Sequence, residues 1–228
     1  MLNSLINLFF PKVCAGCDAF LLTNEQTICA RCRHEIPITN HHLLSENEAM
    51  KKFYGKIPVG FAAAFVYYHK KGIVQQMIHN LKYKGDEAVG QLFGQWFAND
   101  LKLISSLTDV SAIIPVPLHP RKMRQRGYNQ VAAFGQCLAD GLAVPYADNI
   151  LIRTVYSKTQ TRKNLLKRSE VGSRNVFDVA FSENDHNKHF LLVDDVLTTG
   201  STLEACARAL LKIPGAKISI VTMAMSHS

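Results

Sequence analysis

The sequence predicts an α/β fold, a mostly parallel twisted sheet with helices on both faces, preceded by a small cysteine-bearing module. Three observations point there. Wholly apolar runs such as "FAAAFVYY" (61–68) and "FLLV" (190–193) read as strands buried on both faces. Between such runs lie segments whose apolar residues recur at helical spacing. Ahead of them, four of the six cysteines pair up as C-x2-C repeats.

The module comes first. Cys14-Ala-Gly-Cys17 and Cys29-Ala-Arg-Cys32 are separated by eleven residues. Each pair can set two thiolates on one tetrahedral ion through a tight knuckle, and two knuckles fill all four positions. A disulfide framework fits less well, because "MLNSLINLFFPKVC" has no basic n-region and no small-residue cleavage site. The expected ligand of Cys14, Cys17, Cys29 and Cys32 is a structural Zn2+, with no open position for catalysis. His34, His41 and His42 are then expected on the surface or in loops. Cys137 and Cys206, in apolar helical patterns, are expected in the core. The polar stretch from His41 to Lys56 marks a boundary, giving residues 1–55 as zinc-binding module and linker and 56–228 as the main domain.

The main domain reads in order as follows. Residues 61–68 form a strand, and Lys70–Lys82 and Asp86–Leu107 are helical, the latter with Val89, Leu92, Phe93, Trp96 and Phe97 at helical spacing. "SAIIPVP" (111–117) is a buried strand broken by Pro115 and Pro117. Tyr128–Leu142 is a helix and "ILIRTVY" (150–156) a strand. His189–Val193 is a central strand, Thr199–Leu211 a helix and Lys217–Met225 the last strand. The longest wholly apolar run is the eight residues Phe61–Tyr68, against the ~20 of a membrane span, so no membrane span and a cytoplasmic location are expected.

The net charge of +8 is localised. Between His119 and Arg174 there are eleven Lys/Arg and three Asp/Glu, while the remainder of the chain balances. Such a concentration points to a polyanion, a phosphorylated metabolite or nucleic acid.

Ligands of parallel sheets sit beyond the carboxyl ends of the strands. There the chain reads "LLVDDVLTTGST" (191–202). Asp194 and Asp195 can accept hydrogen bonds from a vicinal diol such as a ribose, or bind a hydrated divalent cation. The Thr/Gly/Ser stretch enters a helix whose first N–H groups and dipole suit a phosphate monoester. An N-capped helix alone would explain Ser201 or Thr202, but not the acidic pair. Carboxylates for a diol beside a cradle for a phosphate describe a ribose 5-phosphate site.

This stretch resembles the phosphoribosyl pyrophosphate (PRPP) signature of type I phosphoribosyltransferases. "LKYKGD" (81–86), "IIPVPLHPRKMRQRGYNQ" (113–130), "QTRKNLLKRSEVGSRNVF" (160–177) and the four-cysteine module together resemble the ComF family, over nearly the whole chain. The resemblance implies a type I phosphoribosyltransferase fold, with Asp194 and Asp195 on the ribose hydroxyls and Thr198, Thr199, Gly200, Ser201 and Thr202 around the 5-phosphate. It implies a pyrophosphate loop over Pro117–Gly127, with Arg121, Arg124, Arg126 and Gly127, and a closing loop containing Arg168 and Arg174. The chemistry implied is displacement at the anomeric carbon with pyrophosphate leaving, assisted by Mg2+.

Three readings follow. One is a phosphoribosyltransferase (a glycosyltransferase) of unassigned acceptor. The second is a PRPP- or nucleotide-sensing domain acting through a partner. The third is a DNA-handling protein, since the family is associated with DNA uptake in competence, with single-stranded DNA or a competence protein as partner. The basic segments contain few aromatics to stack bases, chiefly Tyr128 and Tyr156.

Overall fold

The computed structural model describes residues 11–154 and 176–226. Its centre is a four-stranded, all-parallel sheet. The strands are β1 (Phe61–Tyr68), β2 (Val110–Pro115), β5 (His189–Leu197) and β6 (Lys217–Ser226), in the spatial order β1-β6-β5-β2. Residues 145–147 add a stub beside β2, where the Ile113 amide donates to the Pro145 carbonyl and the Ala147 amide to that of Ile113, both at 2.9 Å.

Helices cover both faces, which is why the strands are apolar on both sides. On one face Phe61, Ala63 and Phe65 of β1 meet α3 (Ile73–Tyr83), α4 (Ala88–Leu101) and α6 (Ala132–Leu142) through Met77, Phe93 and Phe134. On the other, Ala62 and Ala64 share a core with α7 (Ser201–Leu210), Phe53, and the two-stranded ribbon β3 (Leu151–Arg153) and β4 (Phe177–Val179). Cys206 is wholly buried there, while Cys137 is half-buried. The expected strand over 150–156 thus keeps only three described residues. It pairs antiparallel with β4, outside the main sheet.

The amino-terminal module contributes the short helix α1 (Ala30–Glu35), and its Cys14, Ala15, Ile28, Cys32 and Ile36 join the first of these cores. The polar stretch that follows is not idle chain. It contains the one-turn helix α2 (Glu48–Lys51), and it covers the outer edge of β1. Thr39 donates its amide to the Phe65 carbonyl, Asn47 donates Nδ2–H to the Ala62 carbonyl at 2.9 Å, and the Ala64 amide donates to His41 Nδ1 at 3.4 Å. His41, expected on the surface or in a loop, is therefore 1% exposed, because its ring serves a strand edge.

Pro117–Gly127, expected as a loop, contains the helix α5 (Pro120–Arg126). Its signals are local: His119 Nδ1 accepts from the Arg121 amide at 3.1 Å, Pro120 opens the first turn, and Gly127 closes it in the left-handed region at φ 78.

At the amino-terminal end of the sheet, His189 links Asp109 (Nδ1 to Oδ1, 2.6 Å) to Ser219 (Nε2 to Oγ, 2.8 Å). The order is that of a hydrolytic triad, but Ser219 is wholly buried and no substrate can reach it. The chain is a structural tie between β2, β5 and β6.

Candidate functional site

Strand β5 passes through the middle of the sheet and runs on past the expected end at Val193, to Leu197. Asp194 and Asp195 are therefore still strand residues, pointing to opposite sides of the pleat. The Asp195 amide donates to Asp194 Oδ1 at 2.8 Å. Burial, and then the charge of Asp195, push Asp194 up to about 7, against the opposing effects of the Asp195 amide, Lys82 and Lys122. Two adjacent carboxylates are thus compensated from outside their own strand. Lys82, at the end of α3, places Nζ 2.8 Å from Asp195 Oδ2, with both side chains largely shielded from solvent.

The chain then turns through Thr198 and Thr199 into α7. Gly200 is the N-cap, at φ 81, and no side chain caps the helix. A Cβ at Gly200 would lie 3.2 Å from Phe53 Cε1, so the turn needs glycine for its dihedral and for space. Thr199 Oγ1 and Ser201 Oγ lie 3.0 Å apart, and the Ser201 amide donates to Thr199 Oγ1 at 3.4 Å. A cavity of about 40 Å³ is lined by Asp194 and residues 196–203, which include Thr198, Gly200 and Thr202. Uncapped helix amides, two hydroxyls and a glycine turn together form an anion cradle.

The basic segment stands beside this cradle. Parallel pairing sets Pro115 of β2 against Val193 of β5, and the Val116 amide donates to the Val193 carbonyl at 2.9 Å. Residues that follow β2 thus begin level with the acidic pair. Arg121 and Arg124 project from α5 into solvent, and Arg126 lays its guanidinium 5.2 Å from the Tyr83 ring. Asn129 Nδ2 donates to the Val116 carbonyl at 3.1 Å and anchors the segment. Lys122 is the α5 residue whose charge reaches Asp194. Arg168 and Arg174 lie outside the described residues. Lys82 lies within "LKYKGD", where nothing local marks it as a site residue. A lysine one residue from the end of a helix carries no mark of the carboxylate it will meet.

The four module cysteines form the one potential metal cluster among the described residues, with their Sγ atoms all within 4.8 Å of one another. Cys17 Sγ and Cys29 Sγ are 3.7 Å apart. A tetrahedral ion with Zn–S of about 2.3 Å requires sulfur–sulfur distances of about 3.8 Å, so the cluster fits that geometry. The Cys29 and Gly16 amides point at Cys14 Sγ from 3.2 and 3.4 Å. Although burial acts the other way, these amides and that of Cys17 bring Cys14 down to about 7, whereas burial and the neighbouring thiols push Cys32 well up.

Residues 132–228 match the family model described as a phosphoribosyl transferase domain. With the parallel sheet and the acidic strand end, this defines the class: an α/β protein of the type I phosphoribosyltransferase fold, with an amino-terminal cysteine cluster able to hold a metal ion. Among curated proteins, the chain is 36% identical to competence protein F of Haemophilus influenzae over 122 residues, 53% of each protein. It is 25% identical to competence protein ComFC of Bacillus subtilis over 216 residues, 94% of this chain and 85% of that one. It is 24% identical to DNA utilization protein YhgH of Escherichia coli K12, over 91% of this chain and 88% of that protein. The chain is a homologue of these proteins, matching about half the length of the Haemophilus one. Among solved structures, the glutamine PRPP amidotransferase of B. subtilis aligns with a TM-score of 0.42 at 13% identity, over 64% of this chain and 30% of that one. In the described residues, no helix is long and apolar enough to cross a membrane.

Proposed function

We propose that the chain binds PRPP, or a closely related phosphorylated ribose, together with Mg2+ at the carboxyl ends of β2 and β5, and that ribosyl transfer with release of pyrophosphate is its chemistry. One observation carries the reading: a central strand delivers two carboxylates directly into an uncapped, glycine-turned helix start. Asp194 and Asp195 accept hydrogen bonds from the ribose hydroxyls. Thr198 to Thr202 wrap the 5-phosphate with amides and hydroxyls. Arg121, Arg124 and Arg126 supply donors for the pyrophosphate, with Gly127 shaping their segment and Arg168 and Arg174 assigned by resemblance alone. Mg2+, when bound, offsets charge on the pyrophosphate and ribose oxygens. The cysteine cluster holds Zn2+ in a structural role. The names of the homologues support a place in DNA uptake or use, with DNA or a competence protein as partner.

Calorimetry with PRPP and Mg2+ tests the assignment. Asp194→Asn combined with Asp195→Asn should weaken binding at least a hundredfold, and unchanged affinity refutes the site. Pyrophosphate release against a panel of nucleobases and amines separates transfer from sensing: binding without release leaves the sensing role.

A further inference from the structure

Helix α3 is held from two sides. On one, Asn80 is 4% exposed and donates Nδ2–H at 3.0 Å to the carbonyl of Ala15, inside the first C-x2-C knuckle. A Cβ on Gly16 would come within 2.6 Å of Ile73 Cγ2, and Gln76 Nε2 reaches Asp18 Oδ2 at 3.4 Å. On the other, Lys82 holds Asp195 at 2.8 Å, and the Leu81 carbonyl accepts from the Tyr128 hydroxyl. At 3.6 residues per turn Asn80 and Lys82 diverge by about 200°, so they face opposite sides of one rigid helix. Asn80 and Lys82 thus tie one helix to the knuckle on one side and to the acidic pair on the other. The Lys84 amide donates to the Asn80 carbonyl at 2.8 Å, closing the helix one turn on.

We propose that Asn80 is a positioning residue that couples metal binding at Cys14, Cys17, Cys29 and Cys32 to the Lys82–Asp195 contact. With the ion bound, the knuckle is fixed and the Ala15 carbonyl stays in place for the buried Asn80 amide. When the ion leaves, that carbonyl is free to move, Asn80 Nδ2 loses its acceptor, and α3 no longer holds Lys82 on Asp195. Asp195 then loses its ion-pair partner, and the added negative charge at the strand end weakens binding of a phosphorylated ligand. The coupling itself is a statement about α3; its effect on ligand affinity rests on the PRPP reading.

The test uses the full chain, zinc-loaded and stripped, with the chelator dialysed away before Mg2+ is added. Amide exchange over residues 73–83 reports the helix without any ligand. Stripping should speed that exchange and weaken PRPP binding about fivefold or more. Asn80→Ala should do both while retaining one zinc per chain. In Lys82→Ala, stripping should bring no further loss of affinity, a result a merely structural role for Asn80 would not produce. Unchanged exchange on stripping overturns the coupling, and so does full metal sensitivity in Lys82→Ala. If neither form binds PRPP, the functional reading fails, and the exchange measurement still decides the coupling. If Asn80→Ala does not fold, stripping of the wild type and of Lys82→Ala carries the decision.

Discussion

Replacing Asp194 by asparagine should stabilise the fold at alkaline pH and change little near pH 4. Burial and the neighbouring Asp195 raise Asp194 from 3.8 to about 7. Between those values the unfolded chain has released the proton while the folded chain still holds it. Folding therefore takes up a proton in that window, so stability falls as pH rises through it and levels off above pH 7. A tenfold change in proton affinity is about 1.4 kcal/mol, so the rise bounds the loss at ~4 kcal/mol. Asp194 keeps part of its surface open at the strand end, and polar surroundings relax around a new charge, so about half of that, ~2 kcal/mol, is expected. The asparagine cannot ionise, and its stability curve lacks this fall. Urea unfolding of both proteins at pH 5, 6, 7 and 8 measures the difference directly. The variant's advantage should grow across the series and stop growing above pH 7. A difference that stays constant with pH would show that Asp194 ionises normally in the folded protein, and the electrostatic account of the site would fall with it.

Two further substitutions test other parts of the structure. Asn47→Ala removes the cap of α2 (~1 kcal/mol) and unpairs the Ala62 carbonyl (~1–3 kcal/mol), so a loss of roughly 3 kcal/mol is expected by urea unfolding. A loss below about 0.5 kcal/mol for Asn47→Ala contradicts the role given to this side chain. Gly200→Ala meets both a left-handed backbone and the Phe53 ring, so it should cost ~1–2 kcal/mol and weaken PRPP binding at least tenfold, measured by unfolding and calorimetry.

The sheet was legible because β1 and the core of β5 are apolar on both faces, a pattern with few alternative readings. The acidic pair and the Thr/Gly turn could be read because their chemistry is contiguous in the chain. The cysteine cluster was legible by spacing alone. What escaped was set by distant contacts. Lys82 becomes a site residue only when α3 packs across the sheet from β5. His41 and Asn47 look like linker residues until β1 presents an unpaired edge to them. Helix α5 is a different case: His119, Pro120 and Gly127 mark its ends, yet the polar run between them buries no residue and shows no apolar stripe.

The closed margins of the sheet bear on how this molecule can meet others. A strand with bare amides and carbonyls invites another chain to lie alongside it, which is one route to strand exchange and fibre growth. Here Thr39, His41 and Asn47 occupy one margin, and residues 145–147 occupy the other. A partner is thereby steered to side-chain surfaces, where recognition depends on charge and shape instead of backbone pairing. The same arrangement makes residues 37–57 a guard against self-association. A chain cut just before Pro58 would keep every carboxylate and hydroxyl of the site, yet present a naked apolar strand to its own copies.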